Sequence, residues 1–248
     1  MGQDTPIDGR TAVVTGASAG IGRATAHALA ADGANVALAA RRTNRLETIA
    51  DELEGEYDAE TLVATTDITD ETDVNALVAD TVDAFGGLDV LVNNAGLARG
   101  DGDVADMDTD AYRTMMDVNC TGMFYATRAA LPHLVESRGN LVFVGSFAGQ
   151  YPRPGSPVYA ATKWWTRGFA HSVEARYGSD GVGVTVVNPT EVRTEFGGDS
   201  GESFEDRFDP GEVTEPAEIA DAIAFAARQE QSTASEIDLY RRDKFSDW

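Results

Sequence analysis

Tyr159 and Lys163 stand four residues apart in the stretch Ser156-Pro-Val-Tyr-Ala-Ala-Thr-Lys-Trp-Trp165, and on a helix that spacing puts both on one face. A fixed ammonium beside a phenol favours phenolate and lowers a pKa that is ordinarily about 10. Such a pair can pass a proton to or from a substrate oxygen. The same spacing also suits an aromatic ring packed on an aliphatic stem, so the rest of the chain has to decide between the two. Composition adds weight, because Lys163 and Lys244 are the only lysines among 19 basic residues. A chain that uses arginine almost everywhere has kept a lysine beside this tyrosine.

The 42 acidic residues outnumber the 19 basic ones for a net charge of -23 over 248 residues. That charge repels nucleic acid and anionic membrane surfaces, and neither is an expected partner. An acidic, lysine-poor globular chain fits a cytoplasm of very high salt, where screening suppresses self-repulsion. An ordinary acidic protein fits as well. Cys120 is the single cysteine, which excludes an intrachain disulfide and a cysteine metal cluster. His27, His133 and His171 lie far apart without ligand spacing, so no metal site is expected. The N-terminus lacks a charged-then-apolar leader and no apolar run approaches the ~20 residues of a membrane span. The reading is a cytoplasmic protein.

The elements around the pair alternate. Thr11 to Thr15 reads as a buried strand and runs into Gly16-Ala-Ser-Ala-Gly-Ile-Gly22, after which Ala24, Ala28 and Leu29 mark a helix face. Strand, glycine turn and helix together cradle a phosphate: glycines let the backbone approach, and the helix start offers N–H donors and a favourable dipole. A second strand, Asn35 to Ala40, ends at Arg41-Arg42. An acid at this strand end binds a ribose 2′-hydroxyl, whereas arginine accommodates a 2′-phosphate. Two arginines therefore point to NADP rather than NAD, the alternative being a solvated helix entrance.

Thr61 to Thr65 is a third strand, followed by Asp67 and Ile68, which could border an adenine, and by Asp70, a candidate cap for the helix Glu71 to Phe85. Val90 to Val92 ends in Asn93-Asn-Ala-Gly96, which suits either a ligand-facing loop or a simple turn. From Asp108 to Ser137 a helical pattern is interrupted near Asn119-Cys-Thr-Gly122. Leu141 to Val144 leads to Ser146, and Gly183 to Val187 leads to Asn188-Pro-Thr-Glu-Val-Arg-Thr194. Residues 197–211 are acidic and poor in apolar side chains, and read as a substrate lid or a solvated loop. A helix from Pro216 and a last strand from Glu236 to Tyr240 complete an α/β pattern with no linker or repeat. The expectation is one Rossmann-type domain over residues 1–248, a doubly wound and mostly parallel sheet of about seven strands with helices on both faces. Ligands of such sheets bind beyond the carboxyl ends of the strands, where all these motifs fall.

Thr-Gly-Ala-Ser-Ala-Gly-Ile-Gly, Asn-Asn-Ala-Gly, Ser146, Tyr-Ala-Ala-Thr-Lys and Asn-Pro-Thr-Glu-Val-Arg-Thr, in this order, give a chain that resembles the short-chain dehydrogenase/reductase family from about Thr11 to Tyr240. The resemblance implies that Tyr159 is the catalytic acid and base, that Lys163 lowers its pKa and holds the nicotinamide ribose, and that Ser146 hydrogen-bonds the substrate oxygen. It gives Asn119 a water in a proton relay, which would explain the interrupted helix. It assigns the cofactor to Gly16, Ser18, Gly20, Ile21 and Gly22 at the phosphates and Asp67 and Ile68 at the adenine. Asn94, Ala95 and Gly96 would follow the ribose, with Pro189, Thr190, Val192 and Thr194 near the carboxamide.

The chain departs from the family at Asn188-Pro189-Thr190, where glycine is usual in the third place. A side chain there would narrow the pocket or add a hydrogen bond. Pro216-Ala-Glu-Ile, Thr194-Glu-Phe196 and Arg207-Phe208 look like the subgroup acting on 3-hydroxy acids, although Glu191 argues against a carboxylate nearby. Phe147, Gln150, Tyr151, Glu191 and Phe196 are the expected pocket neighbours. The expected activity is hydride transfer between NADP(H) and a small secondary alcohol or carbonyl. A cofactor-binding regulator without catalysis would usually have lost Tyr159 or Lys163, and a dehalogenase-type lyase would carry arginine for the lysine. The family commonly forms homodimers or homotetramers through the helices after the fourth and fifth strands, and Trp164 and Trp165 point to different faces of the second.

Overall fold

The structure is a computed structural model that describes residues 7–99, 104–197 and 201–246. Seven strands form one sheet: β1 (Thr11–Thr15), β2 (Asn35–Ala40), β3 (Thr61–Thr65), β4 (Val90–Asn93), β5 (Asn140–Val144), β6 (Gly183–Pro189) and β7 (Glu236–Leu239), in the spatial order β3-β2-β1-β4-β5-β6-β7. Every neighbouring pair is parallel. The central strands are runs of Val, Ala and Leu because both faces of a parallel sheet are covered. Alternate residues go to opposite cores: Ala12 and Val14 pack into one and Val13 into the other.

The helices are α1 (Gly20–Ala31), α2 (Thr43–Tyr57), α3 (Glu71–Phe85), α4 (Thr109–Met116), α5 (Met123–Ser137), α6 (Pro157–Tyr177), α7 (Phe204–Arg207) and α8 (Pro216–Ala227). Leu29 of α1, Leu46 and Leu53 of α2, and Ile219 and Ile223 of α8 fill one core. Val74 and Leu77 of α3, Ala126 and Leu134 of α5, and Ala170 and Val173 of α6 fill the other. The result is a doubly wound Rossmann-like domain with helices on both faces. Asp70 caps α3 by accepting from the Thr72 N–H at 2.7 Å, a contact type worth ~1 kcal/mol.

Strand order reverses between β1 and β4, and there the loops beyond the strand ends part to leave a crevice. The helix interruption after α4 is a π-helical turn, Asp117–Gly122, running directly into α5. Trp165 stacks on Phe169 with ring centroids 4.7 Å apart, while Trp164 stays 46% exposed. Within 197–211 the structure describes α7, capped by the Ser203 hydroxyl, while 198–200 lie outside the described residues. Among the described residues no helix is long and apolar enough to cross a membrane.

Candidate active site

A cavity of about 1060 Å³ opens over the carboxyl ends of the strands. It brings together Gly16, Ser18, Gly20, Ile21, Arg41, Arg42, Asp67, Ile68, Asn94, Ala95 and Gly96 at one end and Ser146, Phe147, Tyr159, Lys163, Pro189, Thr190, Glu191, Val192, Thr194 and Phe196 toward the other. Gly22 and Asn119 lie just behind its wall. Gln150 and Tyr151, expected among the pocket neighbours, do not line it. Gln150 is turned toward Glu236, Asp238 and Tyr240, and Tyr151 stacks on the far side of Phe147 at 4.4 Å. A carboxylate pair on β7 and an aromatic cluster draw these two away, and neither feature is local in sequence.

The glycine turn is built for a close backbone approach. Gly20 holds φ +53, and a Cβ on Gly22 would lie 2.3 Å from the Gly16 carbonyl oxygen. Side chains at these points would strain or push apart the turn. α1 begins without a side-chain cap, so its first N–H groups remain for an anion. Thr15 ties the turn to the neighbouring loop: its hydroxyl donates to Val92 O at 3.1 Å and accepts from the N–H groups of Asn94 and Ala95 at 3.0 and 3.1 Å. At the outer end Arg42 donates twice to the Ser18 hydroxyl, at 2.9 and 3.1 Å. Asp67 accepts from the N–H and hydroxyl of Thr69, which, with the Arg41 charge, hold its carboxyl below the usual range. A phosphate-sized cradle flanked by arginine fits a nicotinamide dinucleotide.

At the other end α6 carries Tyr159 and Lys163 on its cleft-facing side, as their spacing requires. Lys163 is buried, donates to the Val144 carbonyl at 2.8 Å, and lies 5.8 Å from the centroid of the Tyr159 ring. Burial pushes its pKa down to about 8. Burial also pushes Tyr159 up to about 12, against the opposing pull of a hydrogen bond to Ser146 and the charge of Arg153. Desolvation is thus the largest influence on the phenol, and the Lys163 ammonium is held at the Val144 carbonyl, 5.8 Å from the ring centroid. Asn119 sits in the π turn with its side chain spanning elements. Its Oδ1 accepts from Leu97 N–H at 2.9 Å, and its Nδ2 donates to Leu97 O at 2.8 Å and to Thr162 Oγ1 at 3.1 Å. Wide turns of this kind re-aim a side chain at a functional place. Cys120 beside it is buried, which raises its thiol to about 11.

Around the Tyr159 end, Thr190 does add the hydrogen bond that its departure from glycine allows. Its hydroxyl accepts from Arg241 N–H at 3.0 Å, fastening the segment after β7. That segment brings Lys244 into the cavity, where its ammonium donates to Glu191 at 2.6 Å and lies 4.7 Å from the Phe147 ring centroid. Burial opposes the Glu191 charge, but the Lys244 bond keeps its carboxyl below the usual range. Glu191 is thus neutralised, and its weight against an anionic substrate disappears. The cavity wall also includes Arg153 and Arg207. No carboxylate lies within salt-bridge distance of either among the described residues, in a chain whose acids outnumber its bases by more than two to one. Sequence reasoning missed Arg153 and Lys244, and took Arg207 only as part of the likeness to the 3-hydroxy acid subgroup without placing it at the cavity. For Lys244 a signal existed, since the scarcity of lysine that singled out Lys163 applied equally to it.

Comparison with known proteins agrees with this geometry. The family model described as short chain dehydrogenase matches residues 10–204. An NADP-dependent 3-hydroxy acid dehydrogenase of Schizosaccharomyces pombe is 34% identical over 233 residues, covering 91% of this chain and 90% of its own. The glycine betaine reductase ATRR of Emericella nidulans is 34% identical over 245 residues, or 96% of this chain, which spans 19% of that larger protein. Among solved structures, an alcohol dehydrogenase of the archaeon Thermococcus sibiricus complexed with 5-hydroxy-NADP superposes with a TM-score of 0.85 at 30% identity, covering 95% of this chain and 97% of that one. The matched region runs from the first strand past both ends of the cleft, and the likenesses extend over nearly the whole fold. The chain therefore belongs to the short-chain dehydrogenase family of nicotinamide-dependent oxidoreductases.

Proposed function

We propose that this oxidoreductase prefers NADP(H) and interconverts a small carbonyl compound and its secondary alcohol, with Tyr159 as the acid and base. The observation that carries the reading is the convergence of Tyr159, Lys163 and Ser146 at one end of a cleft whose other end presents Arg41 and Arg42. A bound nicotinamide supplies the hydride chemistry. The chain's own part is to orient the reactants and to manage one proton. In reduction Tyr159 Oη gives its proton to the carbonyl oxygen as the carbon becomes an alcohol carbon. Ser146 steadies that oxygen, and Lys163 holds a positive charge beside the site. Asn119 anchors the loop after β4 at Leu97 and would hold the relay water suggested by the family likeness.

For the cofactor, Arg42→Gln together with Arg41→Gln is expected to raise KM for NADPH at least ~10-fold and to leave KM for NADH within about two-fold, as an arginine–phosphate contact of ~1.5–3 kcal/mol requires. Steady-state rates with both cofactors test this. An equal loss with NADPH and NADH would remove the basis for NADP preference.

A narrower reading, that the substrate carries a carboxylate or similar anion, is favoured by Arg153 and Arg207 at the cavity wall and by the pairing of Glu191 with Lys244. The likeness to a 3-hydroxy acid dehydrogenase points the same way. On this reading Arg153→Gln should raise KM for 3-oxo or 3-hydroxy acids by ~10-fold and leave KM for neutral carbonyls of similar size unchanged. A panel pairing each acid with its methyl ester reads the difference directly, and equal effects on both would sink the anionic assignment.

A further inference from the structure

Arg42 and Arg45 hold an anion that belongs to the chain itself. Arg42 Nη1 donates to Glu195 Oε2 at 2.9 Å, and Arg45 Nη1 donates to Glu195 Oε1 at 2.6 Å. The same Arg42 guanidinium donates its Nε and Nη2 to the Ser18 hydroxyl in the glycine turn. Glu195 comes from the loop after β6, 153 residues further along the chain, and reaches across the mouth of the cleft to do this. Hydrogen bonds from Arg42, and then from Arg45, keep its carboxyl below the usual range despite partial desolvation. The next residue, Phe196, lies against Tyr159 with ring centroids 5.7 Å apart. One short loop therefore touches both ends of the site.

We propose that Glu195 is a specificity-determining residue, an internal carboxylate that competes with the 2′-phosphate of NADP(H) for Arg42 and Arg45. This rests on the assignment of Arg42 to that phosphate. Both anions need the same guanidinium edges, and a phosphate placed beside an intact Glu195 would meet like charge. Binding of the phosphorylated cofactor thus requires the Glu195 carboxylate to swing away, whereas a cofactor with a free 2′-hydroxyl leaves the clasp in place. Glu195 lowers the advantage of NADP(H) over NAD(H) and keeps both arginines preorganised while they wait for it. Removing the carboxylate should widen the discrimination, in the direction opposite to that of removing an arginine.

The probes are adenosine 2′,5′-bisphosphate and adenosine 5′-monophosphate, titrated calorimetrically into the wild-type protein and into Glu195→Gln, Glu195→Asp and Arg42→Gln. Glu195→Gln is expected to bind the bisphosphate about 3- to 10-fold more tightly, the range for loss of partly exposed ion pairs, with the monophosphate unchanged. Glu195→Asp, which keeps the charge, should stay within about two-fold of wild type for both probes. A shift of equal size for both probes in Glu195→Gln would mean a general effect on the loop and overturn the proposal, as would unchanged or weaker bisphosphate binding. Failure of the underlying cofactor assignment appears in a different variant. If Arg42→Gln leaves the bisphosphate-to-monophosphate ratio unaltered, Arg42 does not serve the 2′-phosphate and both inferences fall.

Discussion

Tyr159→Phe is expected to lower kcat/KM by about 10²–10⁴-fold, the usual contribution of a positioned proton-transfer group, with cofactor affinity within about two-fold of wild type. The substitution removes only the hydroxyl that meets Ser146, and the ring stays beside Phe196. Nicotinamide absorbance followed with a responsive carbonyl substrate gives the rate, and a cofactor titration gives the affinity. Retention of full activity would assign the proton to another group. The direction of the reaction should also depend on pH. With burial raising Tyr159 to about 12, the phenol is protonated throughout the neutral range and ready to donate in reduction. Oxidation needs the phenolate, so its rate should climb as pH rises toward that value.

Lys163→Met should abolish measurable turnover and make the protein more stable. Lys163 is 5% exposed, and burial lowers its pKa from 10.5 to about 8. Keeping that charge inside the fold at neutral pH costs about 3 kcal/mol, at 1.36 kcal/mol per pKa unit. Its bond to the Val144 carbonyl returns ~1–2 kcal/mol, so an apolar chain of similar length is expected to gain about 1–2 kcal/mol, roughly 3–6 °C in Tm. Because the folded lysine has the lower pKa, the unfolded chain binds the extra proton between about 8 and 10.5, and wild-type stability rises across that window. The gain of the variant should accordingly be full below about pH 8 and vanish near 10.5. Thermal unfolding at three pH values measures it. A Tm that falls at neutral pH would show that Lys163 is a net structural support.

Strand ends, the glycine turn and the Tyr159–Lys163 face were legible because each depends on local periodicity. A run such as Thr11 to Thr15 is apolar since parallel strands are covered on both faces, and positions four apart on a helix meet regardless of what surrounds them. The interruption at Asn119 was visible for the same reason. That it takes the form of a π turn, with Asn119 clamped between Leu97 and Thr162, depends on partners 22 and 43 residues away.

The doubly wound fold, the place of the cleft and the Tyr159–Lys163 pair at one end of it are all consequences of short-range pattern and of the rule that such sheets bind ligands at their carboxyl ends. How the charges along the cleft are paired depends on the tertiary structure alone. Lys244 reaches Glu191 from 53 residues further on, Glu195 crosses the cleft to Arg42 and Arg45, and Gln150 turns from the cavity toward β7. Such pairings follow from strand register and the course of loops, to which spacing along the chain is blind. The pKa of Tyr159 is of the same kind. Four-residue spacing predicts an ammonium at hand, but the largest influence on the phenol is burial, and burial exists only once the chain has folded.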